Sequence, residues 1–514
     1  MKYLFSAFVS VAALCSSSGA QAEWRRFETQ HFIIYSESAD KRVNELATGL
    51  ESIDGLMRMA TGLPMDGETV KVRIYEMADE GQVQAALGET NSGVAGFYTS
   101  NILGPYAVTL RRAFSAEGDF TAELVLHHEY AHHFMLQYFP GTYPGWYVEG
   151  FAELIGSSKT LPDGKIAYGY PAKHRGAFIA GEWVDMRDVL LKDPEKVQNF
   201  DLYGQGWAMT HFLTFNKQRS PELRAYLAAL TAGKSPEEAA KAFGNLETLN
   251  REAHIYLSNG QFNFTPVAVP IKKPVIEKVS PVSAAEAALI PDTIAFSDAD
   301  LSEYRKPGER ERERKRRQSM LERVRAKSAQ YANDPYALYL LAEEEDAIGS
   351  KQAAETAADR LLAMQPSNVG GMVLKSMLMS DAAMALTGPA RVAKGAEARN
   401  LAMAANKADT GKALTYVAYY KSFPAAGQPA PPAAVDGLMA AVEKLPANTD
   451  VRQMLVDEFA SEGRFAEAMF TLSPIANDPH DSPMRQAARE KMTKLRAQAD
   501  ERAGKKKLGR SRDD

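Results

Sequence analysis

Apolar residues recur along the chain with several rhythms. Tyr3 to Leu14 is a short continuous apolar run behind Lys2. Phe32–Tyr35 and Val70–Tyr75 are β-branched and aromatic with turn residues around them, as are Phe97–Tyr98 and Tyr106–Leu110; these predict strands. Between the first two, Val43, Leu46, Leu50, Ile53 and Leu56 follow helical spacing. From Phe120 to about Leu257 the helical rhythm dominates. A small sheet followed by helices predicts an α+β unit over residues 23–260.

The rhythm then breaks. Residues 261–309 carry six prolines (266, 270, 274, 281, 291 and 307), which disfavour long helices and predict an extended connector. Beyond it, residues 310–503 read as helical throughout. Leu341, the turn at Gly349, Ala354, Ala358 and Pro366 are matched by Leu455, Gly463, Ala468 and Pro479. This resembles tetratricopeptide-type helical hairpins and predicts an all-α solenoid of about three, with 389–424 fitting poorly. The charged run Arg305–Arg317 predicts a solvated helix start with Glu309–Arg312 and Glu313–Arg317 pairs. The basic tail 504–514 is expected to be disordered.

Charge and cysteine narrow the chemistry. Sixty Lys and Arg against 65 Asp and Glu give a net charge of −5, which argues against a nucleic-acid partner. The apolar run near the start is too short to span a bilayer. With Ala20-Gln21-Ala22 behind it, residues 1–22 form an expected signal peptide. The mature chain is therefore expected in a bacterial periplasm or secreted, without an integral membrane segment. The single cysteine, Cys15, lies in that leader. Any metal site must then be built from histidine and carboxylate.

Such a set exists. His128-Glu129-Tyr130-Ala131-His132 is an HExxH motif in an apolar helix. Its two histidines, four residues apart, share one helix face and can reach a single Zn2+. Glu129 can take a proton from water at the metal. After the break at residues 139–145, a second helix begins with Trp146-Tyr-Val-Glu149-Gly-Phe-Ala-Glu153. Glu149 is the expected third ligand, and Glu153, one turn on, can hydrogen-bond a ligand imidazole. His127 and His133 lie about 100° round the helix and are expected to pack. His211 is expected in the core, and His174-Arg175 in a solvated loop.

HExxH followed by Glu149-Gly-Phe-Ala-Glu153 resembles the gluzincin metallopeptidases. The string is similar to that of the M1 aminopeptidases. Trp146 and the segment Phe27–Ile33 are closer to the smaller bacterial peptidase MA-like relatives. The resemblance covers about residues 23–257. It implies a gluzincin-type fold, a catalytic Zn2+ and a protein or peptide substrate. It also implies that Tyr203, in Tyr203-Gly-Gln-Gly206, stabilises the tetrahedral intermediate. The Gly-x-Met-Glu-Asn segment with which M1 enzymes grip a free amino terminus is missing, so endopeptidase and exopeptidase modes stay open. The competing expectation is a non-catalytic envelope scaffold that uses a peptidase fold and helical repeats.

Overall fold

The computed structural model describes residues 23–66, 70–87, 96–101, 104–111, 121–176, 183–192, 197–296, 307–478 and 482–510. The expected signal peptide and the last four residues lie outside that set. Helices predominate, beside a small mixed sheet.

The first unit is built on a sheet of order β4-β5-β3-β2-β1-β9. Its strands are β1 (Arg25–Glu28), β2 (Phe32–Ser36), β3 (Val72–Met77), β4 (Gly96–Asn101), β5 (Gly104–Leu110) and β9 (Lys278–Pro281). β2, β3 and β5 are parallel, whereas β1, β4 and β9 pair antiparallel to their neighbours. The parallel β2–β3 step needs a crossover, which α1 (Asp40–Thr61) supplies; a short helix, α2 (Glu80–Leu87), follows β3.

Strand alternation then sorts the side chains onto two faces. Phe32, Ile34, Val72, Ile74 and Ala107 pack with Leu50 and Ile53 of α1 and with Tyr130, Ala131 and Phe134 of α3 (Ala122–Tyr138). On the opposite face Tyr35, Tyr75 and Val108 meet Ile290 and Ile294. A buried polar bolt joins α1 to α3. The Tyr130 hydroxyl donates to Asp54 at 2.7 Å, and Arg58 donates to Asp54 and to the Tyr138 hydroxyl, both at 2.6 Å.

One expectation changes here. The β5 strand is paired on both sides, and β4 lies at the sheet edge among the described residues. The proline-bearing stretch also does more than connect. Residues Thr265–Val267 (β8) pair with β7 (Ile166–Tyr168) in a small sheet with β6 (Lys159–Thr160), and β9 closes the main sheet beside β1. A helix, Ala284–Ala295, forms there despite Pro291, with Ser283 capping it by accepting from the Glu286 N–H.

The second unit is a run of ten helices among the described residues from Pro307 to Arg510, more than the three hairpins expected. The stretch that fitted poorly is two regular helices, Gly388–Ala408 and Ala413–Ala425. Gly395 lets them cross closely: a Cβ there would sit 2.5 Å from the Ala426 Cβ. The charged start is less solvated than expected: Arg316 and Arg317 both bond Glu313 at 2.7 Å, the second being the expected pair, and Arg317 is buried. The last helix continues through residues expected to be disordered, to Arg510. The array folds back on the first unit, where the Gln137 side chain donates to the Glu443 carbonyl at 2.6 Å. No helix among the described residues is long and apolar enough to cross a membrane.

Candidate metal centre

The centre is assembled from three helices. In α3, Thr121 caps the start by accepting from the Leu124 N–H, and Glu123 suits the positive N-terminal end. One apolar face of α3 is pinned to the sheet, which turns His128, Glu129 and His132 away from it. α4 (Gly145–Gly156) follows the break and carries Glu149 and Glu153, both wholly buried. The third helix, α6 (Gly204–Phe215), begins at Tyr203, whose N–H is held by Asp201 together with that of Gly204. (α5, Met186–Leu191, shares an apolar cluster with it.)

Glycine lets these helices meet. A Cβ on Gly150 would lie 2.3 Å from the Gly206 carbonyl oxygen, and one on Gly156 would lie 3.2 Å from the His128 Cβ. Larger residues would separate α4 from α6 and from α3, and the side chains between them would part.

The three expected ligands converge. The Nε2 atoms of His128 and His132 are 3.1 Å apart, Glu149 Oε2 is 3.3 Å from the first and Oε1 is 3.6 Å from the second. Zinc bonds of about 2.0–2.2 Å in a tetrahedron place neighbouring ligand atoms about 3.3–3.5 Å apart. The two nitrogens and the Glu149 carboxylate are therefore close enough together to hold one cation. Burial opposes charge on His128, but the carboxylates of Glu149 and Glu153 outweigh it and lift its pKa to about 10. The pocket is electrostatically suited to a cation.

Glu153 occupies the position expected of it, 3.3 Å from His128 Nδ1. It also bonds His174 Nε2 at 2.8 Å and Arg175 at 2.6 Å. Burial works against its ionisation, yet these three partners hold its pKa below the usual carboxylate value. His174 and Arg175 are therefore not solvated loop residues; they fix the carboxylate that orients His128. Arg175 also lies 4.7 Å over the ring of Tyr203. The Tyr203 ring is 6.2 Å from that of His128, and burial and the nearby Glu149 push its phenol up to about 12. Tyr203 thus remains a hydrogen-bond donor at neutral pH.

The remaining histidines divide as expected. His133 is buried, accepts or donates with the Tyr98 hydroxyl at 2.7 Å, and is pushed down to about 3 by burial. His211 is buried between the Gly169 carbonyl and the Tyr256 hydroxyl. His127 is buried beside Glu123, and burial lowers its pKa. A second cluster of His31, Glu51 and Asp54 is also close-set. It fits a cation poorly: His31 Nδ1 is hydrogen-bonded to Glu51 at 2.6 Å, and Arg58 already neutralises Asp54.

A cleft of about 320 Å3 opens at the centre. Glu129, His132 and Glu149 form its floor, and Tyr98 and Thr99 of β4 form one side. The opposite side comes from the helical array, through Pro446, Thr449, Arg452 and Ile475. Sequence patterns could not show this wall, since it pairs segments some 300 residues apart.

No family model matches the chain, and no curated protein matches it. Among solved structures it is similar to a thermophilic TPR protein of Thermus thermophilus. That match has 20% identity and a TM-score of 0.31, and covers 34% of this chain and 90% of that one. It is also similar to a MamA RS-1 double mutant, at 16% identity and a TM-score of 0.24, over 38% of this chain and 98% of that one.

Proposed function

We propose that the protein is an exported zinc-dependent peptidase of gluzincin type whose helical repeats hold protein clients. The observation that carries this reading is the convergence of His128, His132 and Glu149, with Glu129 beside them in an open cleft. Zinc held there would acidify its water towards a pKa of about 7 and polarise the scissile carbonyl. Glu129, projecting into the same cleft, takes the water proton and delivers it to the leaving amine. Tyr203 donates to the carbonyl oxygen as charge builds there, a contribution of about 2.7–4 kcal/mol for one donor. Glu153 accepts from His128 Nδ1, which aims Nε2 at the position where a metal would displace its proton. The substrate main chain can add to the outer edge of β4, which is unpaired among the described residues.

The scaffold alternative needs neither Glu129 nor Tyr203. Metal analysis with site variants separates the two readings. The proposal predicts one zinc per chain in wild type and in Glu129→Gln, strongly reduced zinc in His128→Ala, His132→Ala and Glu149→Ala, and peptide-library cleavage by wild type alone. A wild-type protein that binds no zinc would overturn it.

A further inference from the structure

The cleft at the metal centre does not end at the array. A groove of about 970 Å3 adjoins it, and the two share Leu136, Pro140, Arg452 and Asn477 as common wall. Together they exceed the roughly 1,000 Å3 at which small-molecule pockets end, so one compact ligand does not account for the space. The far part of the groove presents apolar side chains beside charged ones at Glu467, Arg489 and Arg496. Met439 and Phe470 are 37% and 45% exposed there, with Met469 and Met492 half-buried between them. Methionine is unbranched and polarisable, and surfaces rich in it adapt to many apolar partners. An exposed apolar surface that continues from a hydrolytic cleft is suited to the same substrate chain.

We infer that the groove between the first unit and helices Pro432–Lys444, Phe465–Ala476 and Pro483–Arg510 is an extended subsite. Its occupant is an unfolded polypeptide whose apolar side chains rest on Met439, Met469, Phe470 and Met492 while its backbone reaches Glu129. This deepens the peptidase reading and rests on it for the site of cleavage. It makes the substrate a long, non-native chain rather than a short peptide, and it places specificity on the array. Arg452 marks the junction: it is buried, donates to the Thr471 and Pro446 carbonyls, and ties the groove wall to the cleft wall.

The test uses the full chain, zinc-loaded, with β-casein as an unfolded apolar polypeptide and a short fluorogenic peptide spanning the bond cut first in β-casein. Met439→Asp and Phe470→Asp change exposed side chains. Each is expected to raise KM for β-casein about tenfold with kcat unchanged, and to leave the short peptide unaffected. Binding of labelled β-casein to Glu129→Gln, followed by anisotropy, should weaken by the same factor when either change is added. Equal effects on long and short substrates, no effect on either, or no binding of β-casein would overturn the inference. So would a groove filled by a second copy, revealed as a dimer that Phe470→Asp dissociates. Groove-dependent binding without Glu129-dependent cleavage would support the groove and remove the peptidase reading. Cleavage indifferent to the groove would do the reverse.

Discussion

Replacing Glu153 with Gln isolates the support of the metal centre from its ligands. The side chain is wholly buried and holds three partners: His128 at 3.3 Å, His174 at 2.8 Å and Arg175 at 2.6 Å. Glutamine keeps the shape but removes the charge and cannot accept from all three. His128 Nδ1 then loses its fixed acceptor, so the ring is held less firmly with Nε2 aimed at the centre. Losses of this kind cost about 10–100-fold in metal affinity. That corresponds to about 1.4–2.8 kcal/mol. Competition with a chromophoric zinc chelator at neutral pH measures it directly, with circular dichroism confirming that the fold is kept. Glu123→Gln is the control, because that carboxylate is 56% exposed and 3.9 Å from His127 rather than at the centre. Wild-type affinity in Glu153→Gln would refute the assigned role.

Three other outcomes follow from the packing and electrostatics. Gly150→Ala should cost about 1–3 kcal/mol of stability by forcing its Cβ into the Gly206 carbonyl, and should reduce zinc affinity as α4 moves; denaturant unfolding and the same chelator assay check both. Tyr203→Phe should lower kcat about 100–1,000-fold with zinc content unchanged, as measured by steady-state cleavage. Glu344 is a buried array residue whose carboxyl is pushed up to about 8 by burial, with Asp292 nearby adding to the effect. Its folded pKa exceeds its unfolded one, so the neutral form's stabilisation is present below about pH 4.3 and lost as pH rises through about 8. Glu344→Gln should therefore stabilise the array increasingly from pH 5 to pH 8, by on the order of 3 kcal/mol at the upper end, visible in thermal unfolding.

The local chemistry of the centre was legible in the chain because it depends on short spacings. His128 and His132 sit four residues apart on a helix whose periodicity is plain, and Glu149 and Glu153 repeat that spacing on the next. Tyr203 came from a resemblance, and the structure brings it to His128. His174 and Arg175 were missed because they occupy a three-residue turn, Lys173–Arg175, with no periodicity to show which way it faces. The only clue was their cationic character following two buried acidic residues. β9 was missed for a different reason. Its alternation is interrupted by proline and lysine, and its place beside β1 is set by pairing across some 250 residues. The array's return to the cleft is likewise tertiary: Pro446 and Ile475 carry no local signal of what they will face.

In the proposed activity, zinc at His128, His132 and Glu149 would work with Glu129 to hydrolyse peptide bonds. Its most direct measurement is amine release from β-casein by protein stripped with chelator and reloaded with one equivalent of zinc, beside Glu129→Gln treated identically. Release is expected to vanish when the protein is stripped, to recover fully on reloading, and to be absent from Glu129→Gln although it takes up the same zinc. Release that persists without zinc, or that Glu129→Gln retains, would contradict it.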